Sequence, residues 1–342
     1  MSRLEESRSM LAGRLNVSTG KFAVEEVDEP HAGRGQVRIA VRAAGVCLSD
    51  VHLIQGILKP LYLQGDTVTL GHETAGVIDE VGEGVHGLTV GERVLLQAGE
   101  IRGGSVLTRG VDYDGGWAQH AVATAGTVVP IPDTLSFEQA CFIPDAVSTP
   151  WAAITATAGV QPARAVGVWG VGGLGAHAVQ LLRMIGAAPI VAIDPLPSAR
   201  ERALQFGADL ALDPEDPEFA SLVGEATGGT GLAYAFDFAG VAGVRVQAAR
   251  SLARWGKLIL VGLTDQPLTV PDGTRFSFLE QQIRGHYGSG PEHVLELLSL
   301  VALHRVEFSG SVSGTLPLAQ AAEAVRQLDA KENNPIRLIL MP

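Results

Sequence analysis

"AVGVWGVGGLGAHAVQLLRMIG", residues 165–186, decides the fold class. The apolar run Ala165–Trp169 leads straight into Gly170, Val171, Gly172, Gly173, Leu174 and Gly175, and the glycines open into a stretch of helical periodicity. A G-x-G-x-x-G match alone is weak, because glycine-rich turns are common. Between a strand and a helix it is the arrangement that lets the backbone approach a pyrophosphate, whose charge the helix N-terminus favours. The turn residues Gly170, Gly172, Gly173, Leu174 and Gly175 are therefore expected to bind a dinucleotide. Asp194 ends the next apolar run, "PIVAID" (189–194). An acid there can hydrogen-bond the ribose hydroxyls of NAD and would repel the 2′-phosphate of NADP. Arg200 is near enough in sequence to neutralise such a phosphate, but Asp194 opposes it, so NAD is the expected cofactor.

Downstream of this turn the alternation continues: a helix from about 198, "AYAFDFAG" (233–240), another helix, then "KLILVGL" (257–263). Strands alternating with helices predict a parallel, doubly wound sheet of Rossmann type. Upstream the character differs. The first 145 or so residues read as short strands between Gly-rich turns, among them "QVRIAVRAAGV" (36–46), "TAGVIDEVG" (74–82), "ERVLLQ" (92–97) and "GTVVPIP" (126–132). That pattern predicts a small β-barrel or sandwich-like domain. The change falls near 147, where "STPWAAITATAGV" (148–160) reads as helix. Near the end, "HVLELLSLVALH" (293–304) and "AQAAEAVRQLDA" (319–330) are amphipathic helices, and "PIRLIL" (335–340) is a closing strand.

The bulk numbers agree. A chain of 342 residues is too long for one compact core, so two domains are expected. Hydrophobic residues at 46% and charged residues at 18% describe a globular chain with a large core. A formal charge of -12 argues against nucleic acid and anionic membranes as partners. Two cysteines make no disulfide framework, and a reducing cytoplasm fits best. The start "MSRLEESRSMLAGRLNV" scatters charges where a signal peptide needs an apolar stretch, and no membrane-spanning run follows.

"GVCLSDVH" (45–52) sets a thiol, a hydroxyl, a carboxylate and an imidazole close together, and "TLGHETAG" (69–76) follows with His72 and Glu73. A catalytic zinc takes about three protein ligands of N, S or carboxylate type and keeps one position open. On the residues alone, a metal ligand, a nucleophile and an inert buried thiol all remain readings of Cys47.

Together, "GVCLSDVH", "LGHETAGVIDEVGEGV" (70–85), "GERV" (91–94) and "GVGGLG" (170–175) resemble the zinc-dependent medium-chain alcohol dehydrogenases over nearly the whole chain. The joint pattern is specific where each piece is not. The resemblance implies an α/β protein: a discontinuous GroES-like β-barrel catalytic domain, 1–146 and 290–342, around a Rossmann dinucleotide-binding domain, 147–289. It implies that Cys47 and His72 are zinc ligands. The third is Asp145, where the family usually has a Cys four residues before a Thr, here Thr149. Cys141 is the rival. Glu73 resembles an acid beside the zinc that approaches the metal when water or substrate leaves. Ser49 matches the hydroxyl that takes the alcohol proton, Asp50 the acid that orients His72, and His52 the solvent end of a proton relay. Thr149 and the backbone at Val261 and Leu263 match contacts to the nicotinamide, and Arg337 a contact to the pyrophosphate.

The implied reaction is reversible hydride transfer between a primary or secondary alcohol and NAD, on one catalytic Zn2+ per chain. The cysteine-free stretch "QAGEIRGGSVLTRGVDYDGG" (97–116) departs from members that carry a second, structural zinc, so none is expected. Carbonyl or enone reduction and polyol oxidation are alternatives on the same scaffold, and a non-catalytic NAD-binding protein is a third. Trp117, Trp151, Leu58 and "RGHYGS" (284–289) are candidate pocket walls by analogy. A homo-oligomer, dimer or tetramer, through the edge of the Rossmann sheet is also implied.

Overall fold

The computed structural model describes residues 8–342, so the reading of the N-terminal stretch falls partly on residues 1–7, outside the described residues. In chain order the strands are β1 (Ser9–Asn16), β2 (Lys21–Asp28), β3 (Gln36–Val46), β4 (Thr67–Thr69), β5 (Thr74–Val81) and β6 (Arg93–Leu96). Then come β7 (Gly99–Arg102), β8 (Ser105–Thr108), β9 (His120–Thr124), β10 (Val128–Pro130), β11 (Val166–Trp169) and β12 (Ile190–Ile193). The last are β13 (Leu210–Leu212), β14 (Leu232–Asp237), β15 (Leu252–Leu260), β16 (Gln282–Gly285), β17 (Val312–Pro317) and β18 (Arg337–Met341). Two compact units result. One contains the residues up to Asp145 together with Val294–Pro342, the other Ala146–His293.

In the first unit β3 is the axis. Val37, Ile39 and Val41 alternate with partly exposed neighbours, as a strand with one buried face requires, and then Ala43–Val46 are all buried. The change of pattern has a cause at the far end of the chain: β18 pairs antiparallel with β3 there, Leu338 opposite Val46. The seven-stranded sheet runs β10-β6-β5-β3-β18-β17, with β9 also on β3. A three-stranded sheet, β2-β1-β4, and the β7-β8 hairpin complete the unit. Trp117 is fully buried, edge-on to Phe22 at 5.8 Å between centroids, and its indole N–H donates to the Gly45 carbonyl at 3.0 Å. It is core, not the pocket wall expected of it, and truncating it to Ala would cost about 3–5 kcal/mol.

In the second unit the sheet runs β13-β12-β11-β14-β15-β16, every pair parallel. Counted within the unit this is the order 3-2-1-4-5-6 of a doubly wound dinucleotide fold, as expected. β11 and β12 are buried at every residue, which strands covered on both faces demand. The stretch read as helix near 147 is helical with two π-turns, Ile143–Val147 and Ala153–Ala158, flanking Ser148–Ala152. Gly159 ends it in the left-handed conformation (φ 62°). Such π-turns recur where a side chain must be aimed at a site, and Asp145 lies in the first of them.

Candidate functional site

β3 delivers Cys47 to the start of the helix Leu48–Ile54. Cys47 is extended (φ -110°, ψ 155°), and its N–H donates to Asp50 Oδ2 at 2.9 Å, so the acid of "CLSD" closes the first turn. β5 begins just after His72 and Glu73. Gly71 before them has φ +99°, and a Cβ there would run into Trp117. That turn aims His72 inward. Gly45 serves Glu73 in the same way, since a Cβ at Gly45 would occupy the place of the Glu73 carboxylate.

Ligand atoms of Cys47, His72, Glu73 and Asp145 all lie within 4.8 Å of one another. Asp145 Oδ2 is 3.8 Å from Cys47 Sγ and 3.4 Å from His72 Nε2. A tetrahedral zinc, with bonds of about 2.3 Å to sulfur and about 2.0–2.1 Å to nitrogen or oxygen, sets its ligand atoms roughly 3.3–3.8 Å apart. The set therefore fits the ion. Ser49 Oγ stands 3.4 Å from the same His72 Nε2, and His72 Nδ1 faces Asp50 Oδ1 at 3.4 Å on the other side of the ring. His52 lies one turn further along the helix and is not one of the converging groups.

The electrostatics point the same way. Glu73 is fully buried, and burial raises its pKa to about 7 even though Arg337 beside it works in the opposite direction. Burial disfavours a charged His72, yet Asp50 and Asp145 outweigh it and hold the imidazole pKa well above its usual value. Both Glu73 oxygens, Asp50 Oδ1 and His72 Nδ1 are buried without a hydrogen bond. Such a field favours a cation. Arg337, 2% exposed, supplies only part of that charge: its Nη2 lies 3.1 Å from Glu73 Oε1 and 3.9 Å from Cys47 Sγ. The structure thus places Arg337 against the Cys47–Glu73 side of the cluster that could hold a metal. Cys141 is not one of these converging groups. Its Sγ sits 3.4 Å from the Glu138 carbonyl, and burial pushes its pKa well up, which describes an inert thiol.

In the second unit the glycines of the turn act differently from one another. Gly170 holds φ +85°, a Cβ at Gly175 would collide with the Gly170 carbonyl, and a Cβ at Gly172 would meet nothing within 4 Å, leaving that backbone open to a ligand. Gly173 O accepts from or faces His177 Nδ1 at 2.6 Å, and Leu174 caps the helix Gly175–Ile185. Asp194 Oδ2 accepts from the Val171 N–H at 2.8 Å, and Oδ1 from the Leu196 N–H at 2.9 Å. Arg202 Nη2 donates to the Val171 carbonyl at 2.6 Å. The glycine turn is thus held by both of Val171's polar groups. Sequence reading missed Arg202, whose only signal is its phase on the helix Pro197–Gln205. Arg200 Nη1 bonds the Asp194 and Pro195 carbonyls and Asp213 Oδ2, which closes its own turn.

Further along, Thr149 O accepts from His286 Nε2 at 3.0 Å, and Thr157 Oγ1 lies 2.8 Å from His286 Nδ1. A neutral imidazole with its proton on Nε2 satisfies both contacts. The Val261 and Gly262 N–H groups both donate to the Asp237 carbonyl. An open depression of about 410 Å³ lies beside them, bordered by Arg245, Gly262, Leu263, Thr264, His286 and Tyr287.

Comparison with known proteins agrees with this geometry. Residues 33–133 match the alcohol dehydrogenase GroES-like domain, and residues 173–303 match the zinc-binding dehydrogenase family. An alcohol dehydrogenase of Geobacillus stearothermophilus is 35% identical over 265 residues, covering 72% of this chain and 76% of that one. An NDMA-dependent alcohol dehydrogenase of Amycolatopsis methanolica is 30% identical over 95% of this chain and 96% of its own. Among solved structures, the alcohol dehydrogenase of the hyperthermophilic archaeon Aeropyrum pernix superposes with a TM-score of 0.85 at 30% identity, covering 97% of this chain and 100% of that one.

Proposed function

This chain belongs to the zinc-dependent medium-chain dehydrogenase/reductase family and is an oxidoreductase, and within that family we propose an NAD-dependent alcohol dehydrogenase carrying one zinc per chain. The observation that carries this reading is the convergence of Cys47 Sγ, His72 Nε2 and Asp145 Oδ2, with the Ser49 hydroxyl beside them. When bound there, zinc supplies Lewis acidity to a substrate oxygen, lowering the pKa of an alcohol or polarising a carbonyl. A thiolate, a neutral imidazole and a carboxylate balance its two charges, so Asp145 replaces a thiolate without changing the sum. Asp50, 3.4 Å from His72 Nδ1, would favour the tautomer that leaves Nε2 free to hold the metal. Ser49 takes the alcohol proton and His52, further along the helix, passes it to solvent. Glu73 stays beside the set, held by Arg337.

The cofactor side rests on the 170–175 turn and Asp194, with Thr149, Val261 and Leu263 toward the nicotinamide. The Asp194 carboxylate, fixed by two backbone N–H groups, keeps lone pairs for ribose hydroxyls and opposes a 2′-phosphate. That supports NAD over NADP. Retention of Ser49 favours alcohol oxidation over enone reduction, which needs no group to take an alcohol proton. We also propose a single metal with no structural zinc in the 97–116 lobe, a cytoplasmic location, and a homo-oligomer through the open edge at β16. Among the described residues no helix is long and apolar enough to cross a membrane.

The test is NAD reduction over a panel of aliphatic, benzylic and polyol alcohols, before and after chelation, with zinc counted per chain. Chelator-sensitive turnover with one zinc per chain is expected. Turnover that survives complete metal removal would overturn the assignment of Cys47, His72 and Asp145.

A further inference from the structure

We propose that Arg245 is a positioning residue for the nicotinamide end of the cofactor, acting through the backbone of Gly262 and Leu263. The proposal rests on the reading of this chain as an NAD enzyme and adds a residue that neither the motifs nor the resemblance singles out.

Asp237 ends β14 and is fully buried. Its Oδ1 accepts from the Ala239 and Gly240 N–H groups at 3.0 and 2.9 Å, and its Oδ2 from Arg245 Nε at 2.8 Å. The main-chain carbonyl of the same residue accepts from the Val261 and Gly262 N–H groups at 2.9 and 2.7 Å. Arg245, reaching in from the helix Ala242–Arg250, places Nη2 on the Gly262 carbonyl at 2.8 Å. One acid and one guanidinium thus join the turn after β14 to the turn after β15.

No side chain of those turns could do this instead. Gly240 and Gly262 meet backbone to backbone: a Cβ on Gly262 would strike the Gly240 nitrogen, and one on Gly240 would lie 2.6 Å from the Leu263 carbonyl. With glycine on both sides, the two turns are held by the bonds of the Val261 and Gly262 N–H groups to the Asp237 carbonyl and by the ionic clamp beside them, which alone reaches the Gly262 carbonyl through a side chain. Burying an ion pair costs several kcal/mol and is often no better for stability than an apolar pair. Its advantage here is directional, since a planar guanidinium with two fixed partners holds the Gly262 carbonyl in one place. Arg245 also borders the open depression of about 410 Å³ that Gly262, Leu263, His286 and Tyr287 help to line. This depression lies at the carboxyl ends of β15 and β16, the side on which doubly wound sheets take their ligands. A backbone that hydrogen-bonds a nicotinamide amide must be held within about 0.5 Å, and the clamp supplies a fixed partner for the carbonyl of that turn.

The experiment compares NADH with ADP-ribose, which lacks the nicotinamide, by calorimetric titration of the full-length zinc-loaded protein. The test variant is Arg245→Met combined with Asp237→Asn, which strands no buried carboxylate and keeps an acceptor for Ala239 and Gly240. NADH should bind about tenfold more weakly, the worth of one well-placed hydrogen bond, while ADP-ribose binding stays within about twofold. Arg245→Lys, which keeps the charge but reaches only one partner, should fall between and decides the matter if the double variant does not fold. Equal weakening of both ligands, or of neither, overturns the positioning role. Wild-type protein that binds neither ligand overturns the NAD reading itself, a separable result.

Discussion

In the β-rich unit Glu73 and Asp50 keep buried oxygens without hydrogen-bond partners, whereas in the Rossmann-type unit every side-chain oxygen of Asp194 and Asp237 accepts an N–H from backbone or arginine. Leaving a buried polar group unmet costs about 1–3 kcal/mol, more when it is charged. The first arrangement holds those oxygens only by ion pairs, Arg337 on Glu73 and His72 on Asp50, and on the reading proposed above a cation would complete it. The second is finished by the chain itself, and a cofactor finds it already in shape. The same residue type, aspartate at the end of a strand or turn, serves opposite purposes because of what its neighbours leave undone.

The sharpest way to break that contrast is to remove a ligand from the incomplete site. Asp145→Ala is expected to abolish stoichiometric zinc and to lower turnover by about a thousandfold or more, since Lewis-acid stabilisation is worth several kcal/mol. Asp145→Cys should keep one zinc per chain. Metal analysis beside kcat decides it, and an Ala variant that retains its zinc would show that the cluster is satisfied without this carboxylate. The matching change in the finished site is Asp194→Ala. It removes the acceptor of the Val171 and Leu196 N–H groups as well as the proposed ribose contact. NAD should bind about ten- to a hundredfold more weakly, and the preference over NADP should shrink. An unchanged ratio of the two affinities would mean that Asp194 only braces the turn.

How far these sites could be read from the sequence follows from how local their determinants are. The glycine turn and Asp194 were readable because they fall within one strand–turn–helix–strand stretch, where Gly175 packs on the Gly170 carbonyl and Asp194 accepts from the Val171 N–H. Cys47, His72 and Asp145 were readable as a joint pattern, and the structure does bring them together. Arg337 was named for a pyrophosphate contact, and its contacts to Glu73 and Cys47 went unread, because the pairing of β18 with β3 closes a gap of 290 residues that no local pattern reveals. β1, "SMLAGRLN", went unread for a related reason. Its Ala, Gly and Asn have little preference for strands, and eight paired positions with β2 impose the conformation. The Asp237–Arg245 clamp is only eight residues long in sequence, yet "FDFAGVAGVR" gives no sign that the acid faces inward.

His286 refines the contrast within the finished unit. Burial lowers its pKa below the usual 6.5, although bonds to the Thr149 and Gly288 backbone oppose the shift. As pH falls through about 6.5 the unfolded chain takes up this proton before the folded one does. The stability His286 contributes is therefore present above that pH and declines as pH falls toward the lower folded value. His286→Gln, able to bond both Thr149 and Thr157 without titrating, should lose less of its melting temperature between about pH 7.5 and about pH 5.5 than the wild type does. Equal losses would mean that this histidine takes up its proton in the folded protein as readily as in the unfolded chain, and that burial does not lower its pKa.

The smallest effect is expected at Cys141. Its thiol is as buried as any residue of the metal cluster and lies in the same unit, but its contact is the Glu138 carbonyl, and burial holds it protonated. A protonated thiol is neither a nucleophile nor a ligand. Cys141→Ala should thus cost about 1 kcal/mol of stability through the lost sulfur, with zinc content and kcat within about twofold of wild type. Loss of zinc from this variant would move the third ligand from Asp145 to Cys141, and with it the boundary between the polar groups that await a cation and those that the fold has already silenced.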